Sequence, residues 1–184
     1  MYQFGLHVKE DHKKALKWYI KAAEAEHSPA QLTLGMLYFH GTLVEKDYKK
    51  AYKWFDEAAN QKEINALVYL GRMHVKGLGV QQDYEMAYKI FNYTALQNNP
   101  YGIYELGNLY YNGEGVEKDY SAALEIYRNS AKLGLAEAQV VAGYMLENGE
   151  GTEVNLEEAK LLYQQAAEQG HKWAQNRLKE LEKK

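Results

Sequence analysis

Residues 105–131 read ELGNLYYNGEGVEKDYSAALEIYRNSA, and nearly every distinctive residue in this stretch returns at multiples of 36 positions. Gly107 is in register with Gly35, Gly71 and Gly143, and Asp119 with Asp11, Asp47, Asp83 and Asn155. Gly113 matches Gly5, Gly41, Gly77 and Gly149; Val116 matches Val8, Val44 and Val80; Ala123 matches Ala15, Ala51, Ala87 and Ala159. Ala131 matches Ala23, Ala59, Ala95 and Ala167, while Tyr127 shares its column with Tyr19, Phe55, Phe91 and Tyr163. Self-similarity at such a period marks stacked units, none of which buries its own apolar face alone. The length therefore counts repeats within one expected domain.

Within a unit, residues 28–39 are expected to form a first helix, with Ser28 as N-cap and Pro29 at the first helical position, where no amide is needed. Asn99 and Pro100 repeat that device. Ala30, Leu34, Leu37 and Tyr38 make one apolar stripe, and Gly35 lies on the same side. A mid-helix glycine costs about 1 kcal/mol relative to alanine, so its return in four units implies a close approach by the paired helix. Gly41 ends the helix, Val44 plugs the loop, and Asp47 caps a second helix running from Tyr48 to about Gln61. That helix presents Ala51, Trp54, Phe55, Ala58 and Ala59 on one face, small residues alternating with aromatic ones.

The units fall at 1–27 (partial), 28–62, 63–98, 99–134 and 135–170, with a terminal capping helix at 171–184 that dissolves into charge. Because the first unit opens mid-repeat, a longer parent chain is expected, and the incomplete N-terminal helix could pair with a second copy. No period-two alternation suggests a strand.

The 22 Lys and Arg nearly balance the 25 Asp and Glu, so the positive field that nucleic acid requires is missing. Without cysteine there is no disulfide, thiol nucleophile or thiolate zinc site. No apolar run is long enough for a membrane span, and no signal peptide is visible. The pairs Gly77 and Gly79, Gly113 and Gly115, and Gly149 and Gly151 follow helices and lack a G-K-S or G-K-T ending, so they read as turns rather than phosphate loops. The six histidines show no metal spacing, His74 falling in the column of Tyr38 and Tyr110, and the aspartate column reads as caps. Neither a catalytic constellation nor a cofactor or metal site is expected.

At this point the residues resemble a known family. Ala138, Gln139, Gly143, Gly149, Gly151, Asn155, Ala159, Tyr163, Ala166, Ala167 and Gly170 resemble the Sel1-like repeat, a relative of the shorter tetratricopeptide repeat. Gly107, Tyr110, Gly113, Gly115, Val116, Asp119, Ala123 and Tyr127 do so as well. Departures fall in loops. His7 and Leu43 replace the second loop glycine, Thr152 the valine, and Glu26, Lys62 and Asn98 the closing glycine, which puts local loop geometry in question.

The resemblance implies an all-α solenoid of 36-residue antiparallel helix pairs in a right-handed superhelix, whose first helices line the concave wall. It further implies a noncatalytic bacterial scaffold or adaptor for a protein or peptide, in the cytoplasm, or in the periplasm if an upstream signal peptide was removed. Alternatives are an immunity-type inhibitor that occludes a toxin enzyme and, given cysteine-rich relatives whose cysteines this chain lacks, a β-lactamase-like hydrolase. On the first helices, positions two, five, nine and twelve of each unit point away from the core stripe at 100° per residue. With position thirteen they nominate Phe39, His40, Arg72, Lys76, Tyr101, Tyr104, Asn108, Tyr111, Asn112 and Tyr144 as the partner-binding set.

Overall fold

Helix ends in this chain are set by local chemistry: short polar side chains take orphan amides at the start, and glycines turn left-handed at the end of the first helix of each complete unit. The computed structural model describes residues 12–181, and among these it contains ten α-helices and no strand. They are α1 (His12–Glu24), α2 (Ser28–His40), α3 (Tyr48–Asn60), α4 (Ile64–Lys76), α5 (Tyr84–Leu96), α6 (Pro100–Asn112), α7 (Tyr120–Lys132), α8 (Ala136–Asn148), α9 (Leu156–Glu168) and α10 (Lys172–Leu181). The expectations placed on Gly5, His7, Val8 and Asp11 lie outside the described residues.

The aspartate column caps as expected. Asp47 accepts from the Lys50 amide at 3.0 Å, Asp83 from Met86 at 2.9 Å, Asp119 from Ala122 at 3.0 Å, and Asn155 from Glu158 at 3.1 Å. The Lys50 amide holds the Asp47 carboxyl below the usual carboxylate range. Gly41, Gly77, Gly113 and Gly149 close the first helices at φ 71°, 63°, 73° and 72°. Ser28 is not a cap. It is the first residue of helix α2, and the cap falls one residue earlier, where His27 Nδ1 accepts from the Ala30 amide at 3.3 Å. Asn99 does cap α6, accepting from the Gly102 amide at 2.9 Å.

The loops that depart in sequence keep their geometry. Glu26, Lys62 and Asn98 take φ of 59°, 66° and 55° where later units use Gly134 and Gly170, and Leu43 takes 67° where Gly79 and Gly151 take 71° and 74°. Left-handed backbone costs a non-glycine residue roughly 1–2 kcal/mol. Backbone bonds offset it: the Glu63 amide donates to the Ala58 carbonyl and the Asn99 amide to the Thr94 carbonyl, each at 3.1 Å, as helix-closing turns require.

The chain gathers into two units, one up to Ala87 and one from Tyr88 onward. In the first, α1 packs on α2, α2 on α3 and α3 on α4; in the second, each helix from α6 to α10 packs on the next. Two ion pairs in the C-terminal unit reveal its layers. Arg128 on α7 reaches Glu158 on α9 at 2.9 Å, and Arg177 on α10 reaches Glu147 on α8 at 3.0 Å. Second helices thus lie beside second helices, and first beside first.

The glycine column meets side chains rather than a bare backbone. A Cβ on Gly35 would fall 2.6 Å from the Phe55 ring, and on Gly107 or Gly143 it would fall 2.7 Å from Tyr127 or Tyr163. The rings Phe55, Tyr127 and Tyr163 are 0–1% exposed. A second compensation occurs at Gly102, in a column otherwise held by Ala30, Ala66, Ala138 and Ala174. Its neighbour Thr94 is fully buried in a column of Ala22, Ala58, Ser130 and Ala166, and a Cβ on Gly102 would fall 2.6 Å from the threonine Cβ. The larger residue forces the smaller one. Gly102→Ala should therefore destabilise by about 1–3 kcal/mol through overpacking, and adding Thr94→Ala should recover most of the loss. Urea unfolding of the two variants decides it; an additive double variant would mean that the two sites are independent.

Candidate functional site

The first helices of the C-terminal unit leave a cleft of about 330 Å³ walled by residues of α6, α7, α8 and α10. Its lining comprises Asn108, Tyr111 and Asn112, with Val140, Val141 and Tyr144 opposite; Tyr127 and Trp173 also border it. Four of the sequence-nominated residues meet here. Tyr144 and Trp173 are each 43% exposed, and Asn112 is also exposed. Tyr111 is half-buried: its ring lies 5.0 Å from that of Tyr120, and its hydroxyl donates to Glu150 at 2.9 Å. Asn108 is committed on both sides, accepting from the Tyr127 hydroxyl at 2.7 Å and donating to Glu105 at 2.9 Å.

The other nominated residues divide. Tyr101 is exposed at the start of α6, outside the cleft lining. Tyr104, expected to point away from the core, is half-buried, 5.5 Å from the Tyr127 ring and against the Leu135 and Ala138 cluster. Helical phase alone misplaces it, because position five faces the neighbouring repeat; Val68, its counterpart on α4, is only 2% exposed. In the N-terminal unit Phe39 is half-buried among Tyr48, Phe55 and Tyr69, with ring distances of 5.5, 6.2 and 5.6 Å. The Arg72 guanidinium lies 5.5 Å over Tyr69, while His40 and Lys76 are exposed at the ends of α2 and α4. His74 is buried, its Nε2 3.4 Å from the Tyr52 hydroxyl.

Trp173 is the residue that sequence reasoning missed as part of this surface. It occupies the column of Tyr101, position two of the unit, so extending the stripe into the terminal helix would have found it. Its ring meets Tyr163 edge-on at 5.4 Å. Among the described residues no His, Cys, Asp and Glu group could hold a metal ion, and no helix is long and apolar enough to cross a membrane.

The sequence matches the Sel1 repeat at residues 1–27, 28–63, 64–99, 100–135 and 136–171. The chain belongs to the Sel1 repeat family. Members of this family are in general noncatalytic protein-interaction scaffolds. A Sel1 repeat protein from Oxalobacter formigenes is similar at 37% identity and TM-score 0.83, over 95% of this chain and 71% of that one. The protective antigen c5321 of uropathogenic Escherichia coli, described as displaying an SLR fold, is similar at 33% identity and TM-score 0.78; this chain matches over 96% of its own length but spans 38% of that protein. The immunity protein Pa5087 from Pseudomonas aeruginosa follows at 25% identity and TM-score 0.67, over 91% and 62% of the two chains. No match was found among curated proteins. The Sel1 repeat fold is an α/α solenoid of antiparallel helix pairs, as the sequence implied.

The tyrosines of this region respond to pH in one direction. Burial first, and then the bond to Glu150, pushes the Tyr111 hydroxyl up to about 12, while burial raises Tyr127 and Tyr163 further, with Glu147 adding to the rise at Tyr163. When the folded pKa lies above the unfolded value, the stability linked to that group is intact below about pH 10 and is lost as pH rises, because the unfolded chain ionises first. Urea midpoints should thus fall progressively above about pH 10, less steeply in Tyr111→Phe than in the parent. Equal slopes would mean that neither burial nor Glu150 restrains this phenol.

Proposed function

We propose that this Sel1 repeat protein is a noncatalytic adaptor that holds a peptide or protein segment in the cleft of its C-terminal unit. Tyr144 and Trp173 supply exposed aromatic area, and Val140 an apolar floor. The exposed Asn112 amide in the same lining would bond an extended backbone. The observation that carries this reading is the pairing of Tyr144 and Trp173 in one cleft, since exposed aromatics beside half-buried ones form an anchor with little rotamer entropy to lose. Arg72, Lys76, His40 and Phe39 form a separate candidate surface on the N-terminal unit, where cationic and aromatic groups suit an acidic segment.

A second reading, an immunity-type inhibitor that occludes a toxin enzyme, is supported by the likeness to the immunity protein Pa5087. The two readings part on the identity of the partner and on whether binding abolishes its activity. A pull-down from the source organism supplies that partner. Against it, Tyr144→Ala and Trp173→Ala should each weaken affinity by about 2 kcal/mol or more, while unfolding midpoints stay within about 1 kcal/mol of the parent. Tyr104→Ala should instead unfold earlier, because its ring packs between repeats. Cleft variants that stay folded and bind as the parent does would move the site elsewhere.

A further inference from the structure

Three exposed leucines interrupt columns that are polar in neighbouring repeats. Leu96 stands in the column of Glu24, Asn60, Lys132 and Glu168; Leu133 in that of Gln61, Gln97 and Gln169; Leu161 in that of Lys17, Lys53, Lys89 and Glu125. They are 72%, 48% and 56% exposed. Folding does not account for them. At the Leu133 position two other repeats have a structural use for polarity: Gln61 donates to Gln31 at 2.7 Å and Gln169 to Gln139 at 2.8 Å, tying the end of a second helix to its first helix. In the third unit that pair has become Leu133 and Ile103. The exchange opens an apolar groove of about 420 Å³ between the C-terminal ends of α5 and α7, with Lys132 as the one charged residue in its lining.

Helix α9 carries the complementary shape. Glu157, Leu161, Gln164 and Glu168 follow one another at four, three and four residues, which places them on one stripe of the helix, and all four are exposed. A single exposed leucine flanked by carboxylates matches an apolar groove edged by an ammonium group. We propose that two copies of this chain pair through these surfaces, the Leu161 ridge of each entering the Leu96 and Leu133 groove of the other. Groove and ridge both belong to the second-helix side, so a two-fold axis makes both contacts at once and closes the assembly. Groove against groove would oppose Lys132 to Lys132, which disfavours the uncrossed arrangement.

Sedimentation velocity over a concentration series tests this on the intact chain. The parent is expected to dimerise. Leu161→Glu on the ridge and Leu96→Glu in the groove, both at largely exposed positions, should keep the parent's helical signal and melting midpoint while raising the dimer dissociation constant at least about tenfold. Lys132→Glu should weaken the dimer too, and adding Glu157→Lys with Glu168→Lys should restore it. A parent that remains monomeric throughout the series overturns the proposal. So does a dimer sensitive to only one of the two surfaces, or one that the charge exchange does not rescue.

Discussion

An aromatic ring lying flat against a glycine, twenty residues earlier in the chain, is the contact on which the rest of this structure depends. Phe55 meets Gly35, Tyr127 meets Gly107 and Tyr163 meets Gly143. Each pairing joins the second helix of a unit to its first, and no β-carbon fits between them. The fully buried alanines around these rings, such as Ala51, Ala58, Ala123, Ala159 and Ala166, can be small because the rings fill the space between helices. Glycine in mid-helix weakens the isolated helix, so the cost is local and the return comes from tertiary packing.

The same contact connects core to surface. In the C-terminal unit the ring is a tyrosine, whose hydroxyl emerges on the first-helix side: Tyr127 donates to Asn108 at 2.7 Å and Tyr163 to Glu147 at 2.9 Å. Glu147 in turn holds Arg177 of the next first helix. The cleft that contains Tyr144 and Trp173 is thus braced from beneath by side chains rooted in the core. In the N-terminal unit the ring is Phe55, which has no hydroxyl and stacks on Tyr69 at 4.6 Å. That unit presents an aromatic cluster where the other presents a polar brace.

Much of this was legible in the sequence, because a repeat supplies its own internal comparison. Helix pairs, the aspartate caps at 47, 83 and 119, and the glycine stops at 41, 77, 113 and 149 could be read from register alone. What register conceals is context. Ser28 looked like a cap by residue type, yet the chain begins its turn one residue earlier and His27 does the work. Tyr104 looked exposed by helical phase, yet the adjacent repeat covers it, and phase knows nothing of the neighbour. Glu26, Lys62, Asn98 and Leu43 looked like breaks in loop geometry, but backbone hydrogen bonds keep the turn left-handed without glycine. Trp173 escaped because the terminal helix was read as a cap rather than as one more first helix.

The glycine contact is tested most directly by the sign of one free-energy change. Gly107→Ala removes a helix-weakening residue, and if nothing faced Gly107 the substitution would stabilise the protein by about 1 kcal/mol. With the Tyr127 ring where it is, the new methyl group must displace a buried aromatic side chain, and equilibrium urea unfolding should show a net loss of stability. A gain of about 1 kcal/mol would contradict the account, since it would mean that the ring does not rest on the glycine and that the helices are paired in some other way.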